Sequence, residues 1–372
     1  MTPDRCRESG RRFLGRNGPR AIVALVGTVA LLATVLGEVQ APRAETARYA
    51  GTIAFLRWPN GGAGYSNGPN LYSIGADGSD LRRLTPIGTS VLSYTWSPDG
   101  GLIAYTDTHF SLWLVRRDGT GRRLLLPTSQ LSTVGMSWSP DGTSIAIASP
   151  GANASLRNTW CTKLTLYVVP IDGGASSPLQ RNVACDVAWS PSGDEIAYTA
   201  SGGVQTGTWA IRPDGSGQRK ISNVGGGTWS ADGTQLSFGI VVHLSPGTTN
   251  RYRAFAVVNS DGSNYHVVTT HAYTEYGEAW SPRGHRILYG RADNQGIYVI
   301  GSDGRNNHRV TRDSPPQAAW GALAWSPTAG SIVYTTGDPS DTDLYLVGID
   351  GRGRVQLTNS PESELAPTWV AR

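Results

Sequence analysis

Two interleaved turn signals in this 372-residue sequence predict an all-β fold, a seven-bladed β-propeller of four-stranded antiparallel blades. The first signal is a tryptophan turn, Trp-Ser-Pro-Asp-Gly in its full form, followed by an apolar run. It recurs at intervals of about 40–50 residues, a spacing typical of stacked or radial repeats. Its tryptophans are Trp96, Trp138, Trp189, Trp229, Trp280, Trp325 and, as a bare copy near the C-terminus, Trp369.

The second signal is Asp-Gly at the end of a strand-like run. Asp-Gly between alternating runs is the strongest short-range hairpin signal. The copies begin at Asp77, Asp118, Asp172, Asp214, Asp261, Asp303 and Asp350. Because the two kinds of turn alternate along the chain, together they predict seven units of four strands.

The residues of the tryptophan turn suit both a hairpin and an anchor. Proline presets φ at the second turn position, aspartate can bond the local backbone, and glycine accepts the positive φ that closes the turn. Apolar, β-branched residues on either side favour strands. The tryptophan is large enough to bury against the neighbouring repeat, which one four-stranded sheet alone could not cover.

The two ends of the repeat region are predicted to share one sheet. The first unit starts at Thr52-Ile53-Ala54-Phe55, which matches the strand after the tryptophan turn, so its innermost strand is missing. The C-terminal strand, Ala366 to Val370, is predicted to supply it. That pairing would close the ring and leave no exposed edge.

The repeats resemble the WD40-like propeller repeat of TolB-type proteins. The resemblance is carried by Trp-Ser-Pro-Asp-Gly at Trp96, by the Ile-Ala-Tyr run that ends at Tyr105, and by Asp-Gly followed by segments such as Arg82-Arg83-Leu84-Thr85. It covers roughly residues 51 to 372 and implies the propeller fold, whereas propellers serve many functions. TolB itself has six blades beside a separate α/β domain, and no residues here predict such a domain.

The N-terminal region is predicted to export or anchor the protein. Residues 1–20 carry six arginines against Asp4 and Glu8, and residues 21–37 are an unbroken apolar stretch. This order indicates a basic cytoplasmic leader followed by a signal peptide or signal-anchor helix. Residues 38–48 are a linker and residues 49–372 the propeller. The propeller is therefore expected to be extracytoplasmic. Pro42 weakens the one plausible cleavage site, so the protein is either tethered by an uncleaved segment or secreted.

The positive charge of the chain belongs to this leader. The leader carries six minus two, or +4, and the whole chain is also +4, so the remainder sums to zero. A neutral propeller argues against nucleic acid as a partner. The membrane is expected to contact only the N-terminal segment.

Long loops are predicted on one face, and binding residues are expected there because function concentrates on loops held by a rigid scaffold. The loops span residues 58–70, 150–163, 243–253, 270–278, 313–321 and 337–342. Their ring-bearing residues suit protein or sugar binding, although each could instead pack under its own loop. They are Trp58, Tyr65, Trp160, Tyr252, His271, Tyr273, Tyr276 and Trp320.

Three histidines, His109, His243 and His271, are predicted to project to the same face and are candidates for a metal site. No regular ligand spacing supports one, and isolated histidines are more often structural, so no metal or other cofactor is expected. Gly64-Tyr65-Ser66-Asn67-Gly68 matches a nucleophile elbow by letters only, because no helical sequence follows it. No catalytic residue is predicted.

Cys161 and Cys185 are the cysteines beyond the leader, each expected at the start of a strand on the long-loop face. They are either a disulfide or two small buried residues. We favour the disulfide, because export would permit it.

These observations favour a monomeric, non-enzymatic binding or scaffold protein of the cell envelope. Its partner is expected to be an envelope protein or a wall polymer, bound on the long-loop face or in the central channel. The first alternative is a carbohydrate-active lyase or hydrolase with a propeller active site. The second is a detached relative of the propeller that gates prolyl peptidases, which would need a catalytic α/β domain.

Overall fold

A computed structural model of the protein describes residues 49–59, 68–152, 161–201, 206–243, 251–269, 275–291, 296–313, 323–338 and 341–371. All of them belong to the compact unit Glu38–Arg372. The predicted leader, apolar segment and linker lie outside these residues. Within them, no helix is long and apolar enough to cross a membrane.

The regular elements of the described residues are 27 β-strands in six sheets, which confirms the all-β prediction. The first sheet has the order β27(Ser363–Val370), β1(Thr52–Trp58), β2(Asn70–Gly75), β3(Arg82–Arg83). The second contains β4(Val91–Trp96), β5(Leu102–Asp107), β6(Leu112–Arg116) and β7(Arg123–Leu126). The third has seven strands: β8(Gly135–Trp138), β9(Ser144–Ser149), β10(Leu164–Pro170), β11(Ser177–Trp189), β12(Ile196–Ala200), β13(Gly207–Ile211) and β14(Arg219–Ser222).

The remaining three sheets have four strands each and follow chain order. The fourth sheet contains β15(Thr228–Trp229), β16(Gln235–His243), β17(Arg251–Asn259) and β18(His266–Val267). The fifth contains β19(Glu275–Trp280), β20(Arg286–Arg291), β21(Gly296–Gly301) and β22(His308–Thr311). The sixth contains β23(Leu323–Trp325), β24(Ser331–Asp338), β25(Asp341–Gly348) and β26(Val355–Gln356). Neighbouring strands pair antiparallel throughout.

The seven-stranded sheet joins two repeat units through one long strand. β11 has 13 residues. It pairs with β10 as far as Val183 and with β12 from Val183 onward. One continuous strand therefore serves as the last strand of one unit and the first strand of the next, which the sequence predicted as separate strands.

The Ser-Pro-Asp-Gly turns close as hairpins. In the third sheet, Gly142 has a φ of +71° and its N–H donates to the Ser139 carbonyl at 2.9 Å. The Asp141 carboxylate accepts the Ser139 hydroxyl at 2.6 Å and the Thr143 N–H at 2.9 Å. These bonds favour the charged form and hold the pKa of Asp141 below its usual range.

The turn tryptophans bond each unit to the one before it, as their size suggested. In four cases the indole N–H donates to a backbone oxygen in the unit before it. That oxygen belongs to the residue immediately before the turn tryptophan of that unit. The pairs are Trp138 with Thr95 (3.3 Å), Trp229 with Ala188 (3.1 Å), Trp280 with Thr228 (3.0 Å) and Trp325 with Ala279 (3.0 Å). Trp189 differs, because its indole donates to Gly193 within its own turn.

Apolar clusters pack consecutive sheets against one another, and one cluster joins the first sheet to the last. Ile53 and Phe55 of β1 lie in the same buried cluster as Leu344 and Leu346 of β25. β27 reinforces this contact, because Trp369 lies opposite Ile53 in the register of β1 and β27. The first and sixth sheets therefore pack as the other neighbours do.

A buried ion pair lies at the same junction. Glu364 of β27 is fully buried, and its carboxylate lies 2.6 Å from the Arg57 guanidinium of β1. The same carboxylate accepts the Leu344 N–H of β25 at 3.2 Å. The Glu364 backbone also bonds the Thr342 hydroxyl. β27 is thus tied to strands of two sheets.

Several predicted loop positions are wrong. Trp58 is the last residue of β1 and Tyr252 lies inside β17, because these strands continue their pairing beyond the predicted ends. The loop predicted at residues 337–342 is shorter, because β24 and β25 pair as far as Asp338 and Asp341. Cys185 lies within β11 and not at the start of a strand.

Candidate functional site

The first strands of four repeat units line a cavity of about 530 Å³. These strands are β4, β19, β23 and β27, and we call the space between them the inner-strand cavity. Its lining is mainly apolar and includes Leu92, Tyr94, Trp280, Leu323 and Pro367. A concave, mostly apolar space of this size is the usual form of a binding site.

β-Bulges lie in or beside the strand segments that line the cavity. The register of β4 with β5 shifts between Val91 and Ser93, so Leu92 has no partner residue across the pair. Leu92 is 46% exposed, whereas Val91 is 1% exposed. β19 and β27 also shift register. Since a bulge bends its strand and re-aims a side chain, these shifts explain why an apolar side chain faces the cavity.

Polar groups at the cavity wall already have partners within the protein. The Tyr94 hydroxyl donates to the Ala54 carbonyl at 2.8 Å and accepts from the Thr368 hydroxyl at 3.1 Å. Burial raises the pKa of Tyr94, so its hydroxyl stays neutral. The Trp280 indole N–H is bonded to Thr228. The wall therefore offers mainly carbon surface to a ligand.

One acidic group, Glu278, lies next to the wall residues Ala279 and Trp280. One oxygen of its carboxyl accepts the Ser237 hydroxyl at 3.0 Å, and the other is buried with no hydrogen bond to a described residue. Burial raises the pKa of Glu278 to about 7. This carboxyl therefore holds its proton to a higher pH than an ordinary glutamate does.

The structure describes three of the predicted binding residues. Trp58 is half-buried at the end of β1, His109 lies in the turn after β5 with its side chain 84% exposed, and Tyr252 is half-buried in β17. They belong to three different sheets, and none lines the inner-strand cavity. Outside the described residues lie Tyr65, Trp160, His271, Tyr273 and Trp320, and the same holds for the side chain of His243. The role predicted for this face stays a prediction.

Sequence reasoning did not single out Leu92, Tyr94 or Glu278. Tyr94 and Glu278 each stand two residues before a turn tryptophan, a position that could have drawn attention to them. Leu92 gave no such signal, because its exposure results from a bulge that periodicity does not reveal.

Cys161 and Cys185 form a disulfide in the structure, with Cα atoms 4.7 Å apart. The bond joins the turn before β10 to the middle of β11. It therefore attaches Cys161, just before β10, to the strand that two repeat units share.

The described residues contain no group of three or more His, Cys, Asp or Glu side chains arranged to hold a metal ion. Of the histidines weighed as a metal site, His109 alone has a described side chain. Its backbone N–H donates to the Asp107 carboxylate at 2.9 Å.

Comparison with known proteins gives a consistent family result. The family model described as the TolB beta propeller domain matches residues 47–324. A curated relative, the Tol-Pal system protein TolB of Anaeromyxobacter dehalogenans (strain 2CP-C), is 30% identical over 112 residues. That alignment covers 29% of this chain and 25% of the relative, so the match spans about a quarter of the relative's length.

Two solved structures share the fold. TolB from Acinetobacter baumannii is 18% identical with a TM-score of 0.51, over 87% of this chain and 67% of its own. An oligogalacturonate lyase in complex with manganese is 16% identical with a TM-score of 0.63, over 82% of this chain and 86% of its own. At such identities the likeness concerns the fold alone.

Proposed function

This chain belongs to the TolB β-propeller family, and we propose that it is a non-enzymatic binding module of the cell envelope. The inner-strand cavity is the proposed binding site, and its ligand is an extended segment of another envelope protein. The observation that carries the proposal is the apolar cavity between β4, β19, β23 and β27, into which Leu92 is turned by a bulge. A curated relative named as a Tol-Pal system protein supports an envelope setting.

The size and chemistry of the cavity favour a peptide segment. A volume of about 530 Å³ has room for a few side chains and not for a folded domain. The wall offers carbon surface from Leu92, Leu323 and Pro367, whereas its hydroxyl and indole groups are already bonded within the protein. An extended segment with apolar side chains would displace water from this surface at little cost in unpaired polar groups.

We also propose that the sheets form seven blades in a closed ring. The seven-stranded sheet counts as two blades that share β11. Every blade then has four strands. The cluster that joins β1 to β25, together with the pairing of β27 with β1, supports closure between the first and last sheets. The inner-strand cavity would then be the central channel.

The proposed location is outside the cytoplasm, with residues 21–37 as a retained anchor or a cleaved signal. The disulfide between Cys161 and Cys185 supports an oxidising compartment. The arginines of residues 1–20 would hold the N-terminus in the cytoplasm. Protease added to intact, wall-stripped cells should digest the propeller while cytoplasmic markers survive, and full protection would overturn this orientation.

A wall polymer as partner and a carbohydrate-active lyase or hydrolase stay as alternatives. The interpretation as a lyase depends on histidines of the long-loop face. Of these, His271 lies outside the described residues, and so does the side chain of His243. No contact among the described residues favours it over binding.

Substitution of the exposed wall residue tests the proposed site. Leu92→Arg places a charge in the apolar cavity, and capture of the partner from solubilised envelopes should fall at least about tenfold, because a charge without a partner is costly to bury. Leu124→Arg is the matched control, since Leu124 is similarly exposed, at 42%, but lies in β7, the last strand of its sheet. Equal capture by Leu92→Arg, Leu124→Arg and wild type would refute the site.

A further inference from the structure

A second cavity, of about 590 Å³, lies between the fourth and fifth sheets at their turn ends. We call it the turn cavity. It is formed by residues of the hairpin turns and of the strand ends beside them, and not by the inner strands. Its lining includes Gln235, Asn259, His285, Asp303, Asn306 and His308. Three of the six histidines of the chain, His266, His285 and His308, lie in or beside it.

Hydrogen bonds between the two sheets hold the walls of the turn cavity in place. In the His285 ring of the fifth sheet, Nδ1 lies 3.1 Å from the side-chain oxygen of Gln235, and Nε2 lies 3.1 Å from the carboxylate of Asp232. Behind the wall, His266 of the fourth sheet bonds the Ser302 carbonyl of the fifth at 2.8 Å. The cavity is therefore pre-formed, which lowers the entropy cost of binding.

Several polar groups of this cavity remain available to a ligand. His308 Nδ1 donates to the Asn306 carbonyl at 3.0 Å, so Nε2 of the neutral ring is an acceptor. The side-chain amide of Asn306 has no hydrogen bond to another described residue. Gln235 and Asn259 each use one end of their amide, toward His285 and Ser263, and keep the other.

The charges of the lining cancel. Apart from the histidines, its formally charged residues are Arg286 and Asp303. The Arg286 guanidinium already donates to the Ala329 carbonyl at 3.2 Å and lies 5.1 Å from the centre of the Trp325 ring. Apart from the histidines, the lining therefore has no excess of positive or negative residues that would select an anion or a cation.

The cavity thus offers both hydrogen-bond donors and acceptors and no net charge. Such a lining suits a ligand rich in hydroxyls, because a hydroxyl both donates and accepts hydrogen bonds. We propose that the turn cavity binds a neutral, hydroxyl-rich ligand, namely a saccharide unit of a glycan. This site is separate from the inner-strand cavity and does not depend on the peptide-binding proposal. Its volume lies within the range of about 300–1,000 Å³ that small-molecule sites occupy.

The corresponding position of the first sheet shows what the fifth sheet has changed. Asp80 and Arg82 stand there in place of Asn306 and His308, three and five residues after the Asp of each Asp-Gly turn. Their side chains are 3.6 Å apart, and the cavity that they line measures about 180 Å³. The first sheet thus offers a small ionic cleft where the fifth offers a larger neutral one.

Saturation-transfer NMR and calorimetry on the full chain test the proposal. The probes are maltotetraose, cellotetraose and the N-acetylglucosamine tetramer, with tetragalacturonate as the anionic comparison. At least one neutral tetrasaccharide should bind. Asn306→Ala and His308→Ala should each weaken binding at least tenfold, and Asp80→Ala and Arg82→Ala in the first sheet should leave it unchanged. All four residues are exposed. Asn306 and Asp80 both have a positive φ, so their alanine variants should show a similar small loss of stability, whereas His308→Ala and Arg82→Ala should keep the wild-type melting temperature.

Three outcomes would overturn the proposal. The first is no binding of any neutral probe at millimolar concentration. The second is binding that Asn306→Ala and His308→Ala leave intact. The third is preferred binding of tetragalacturonate, which would mean that the cavity selects charge. Partner capture by Leu92→Arg reports on the inner-strand cavity alone, and tetrasaccharide binding reports on the turn cavity alone. Each proposal can therefore fail while the other stands.

Discussion

At the scale of single residues, burial of polar groups between sheets decides where stability depends on pH. Glu278 is the clearest case. Its pKa is raised to about 7 by burial, from 4.5 for an ordinary glutamate. The folded state therefore binds the proton more tightly than the unfolded state does. The contribution of Glu278 to the free energy of unfolding is therefore fully present below about pH 4.5, is lost as the pH rises toward 7, and is constant above it.

Glu278→Gln should remove this dependence. One pKa unit corresponds to about 1.4 kcal/mol, so the charged carboxyl costs about 3 kcal/mol above pH 7. The variant should be more stable than wild type at pH 8 by up to that amount and should match it near pH 4. Urea denaturation at both pH values measures the difference. Glu195→Gln is the control, because it breaks an ion pair with Arg219 and should lower stability at pH 8. Parallel curves for Glu278→Gln and wild type would contradict the burial argument.

Trp138 tests the anchoring role of the turn tryptophans. Its side chain is 6% exposed, and its indole donates to the Thr95 carbonyl of the preceding unit. Trp138→Ala should cost about 3–5 kcal/mol, as truncation of large buried aromatics does. Trp138→Phe keeps much of the volume and should lose less. Chemical denaturation gives both values, and a loss under 1 kcal/mol for Trp138→Ala would show that the tryptophan is not an anchor.

At the scale of elements, local patterns predicted most of the strands. Each tryptophan turn is followed by a strand, such as β5, β9 and β12, because Pro, Asp and Gly act within the turn itself. The repeat pattern predicted two separate strands in place of β11, although no Gly or Pro interrupts residues 179–189. Bulges were also missed, because a register shift depends on the partner strand.

The site was harder to predict than the fold, because its contacts join residues far apart in the chain. Glu278 meets Ser237 across 41 positions, and Glu364 meets Arg57 across 307. The histidines of the turn cavity lie beside turns that the sequence predicted as simple hairpins, His266 and His308 at the starts of short outer strands and His285 just before β20. Predicted loop residues drew attention to the other face, where the structure describes only part of the chain.

β27 is the element on which the junction of the first and sixth sheets depends. Deletion of residues 363–372 removes the strand that pairs with β1 and leaves Arg57 without its buried partner Glu364. It also exposes an open sheet edge, which favours aggregation. We expect loss of cooperative unfolding, or aggregates in size-exclusion chromatography. A truncated protein that elutes as a monomer with an unchanged melting temperature would show that the junction is dispensable.

At the scale of the whole molecule, the inner-strand cavity and the turn cavity differ in chemistry. The inner-strand cavity is apolar, with its polar groups already bonded, whereas the turn cavity is polar and pre-formed by histidines. Strong repetition explains the shared scaffold, and departures from the repeat create the cavities. Leu92 and His308 are such departures, and neither affects the hairpins that build the fold.

The measurement that tests the central claim most directly is photo-crosslinking from the wall of the inner-strand cavity in intact cells. A benzoylphenylalanine at position 92 should give a dominant adduct, and mass spectrometry should place it on an extended segment of another envelope protein. The same probe at position 124, on the outermost strand of the second sheet, should not give that adduct. No adduct at position 92, or the same adducts at both positions, would contradict the account.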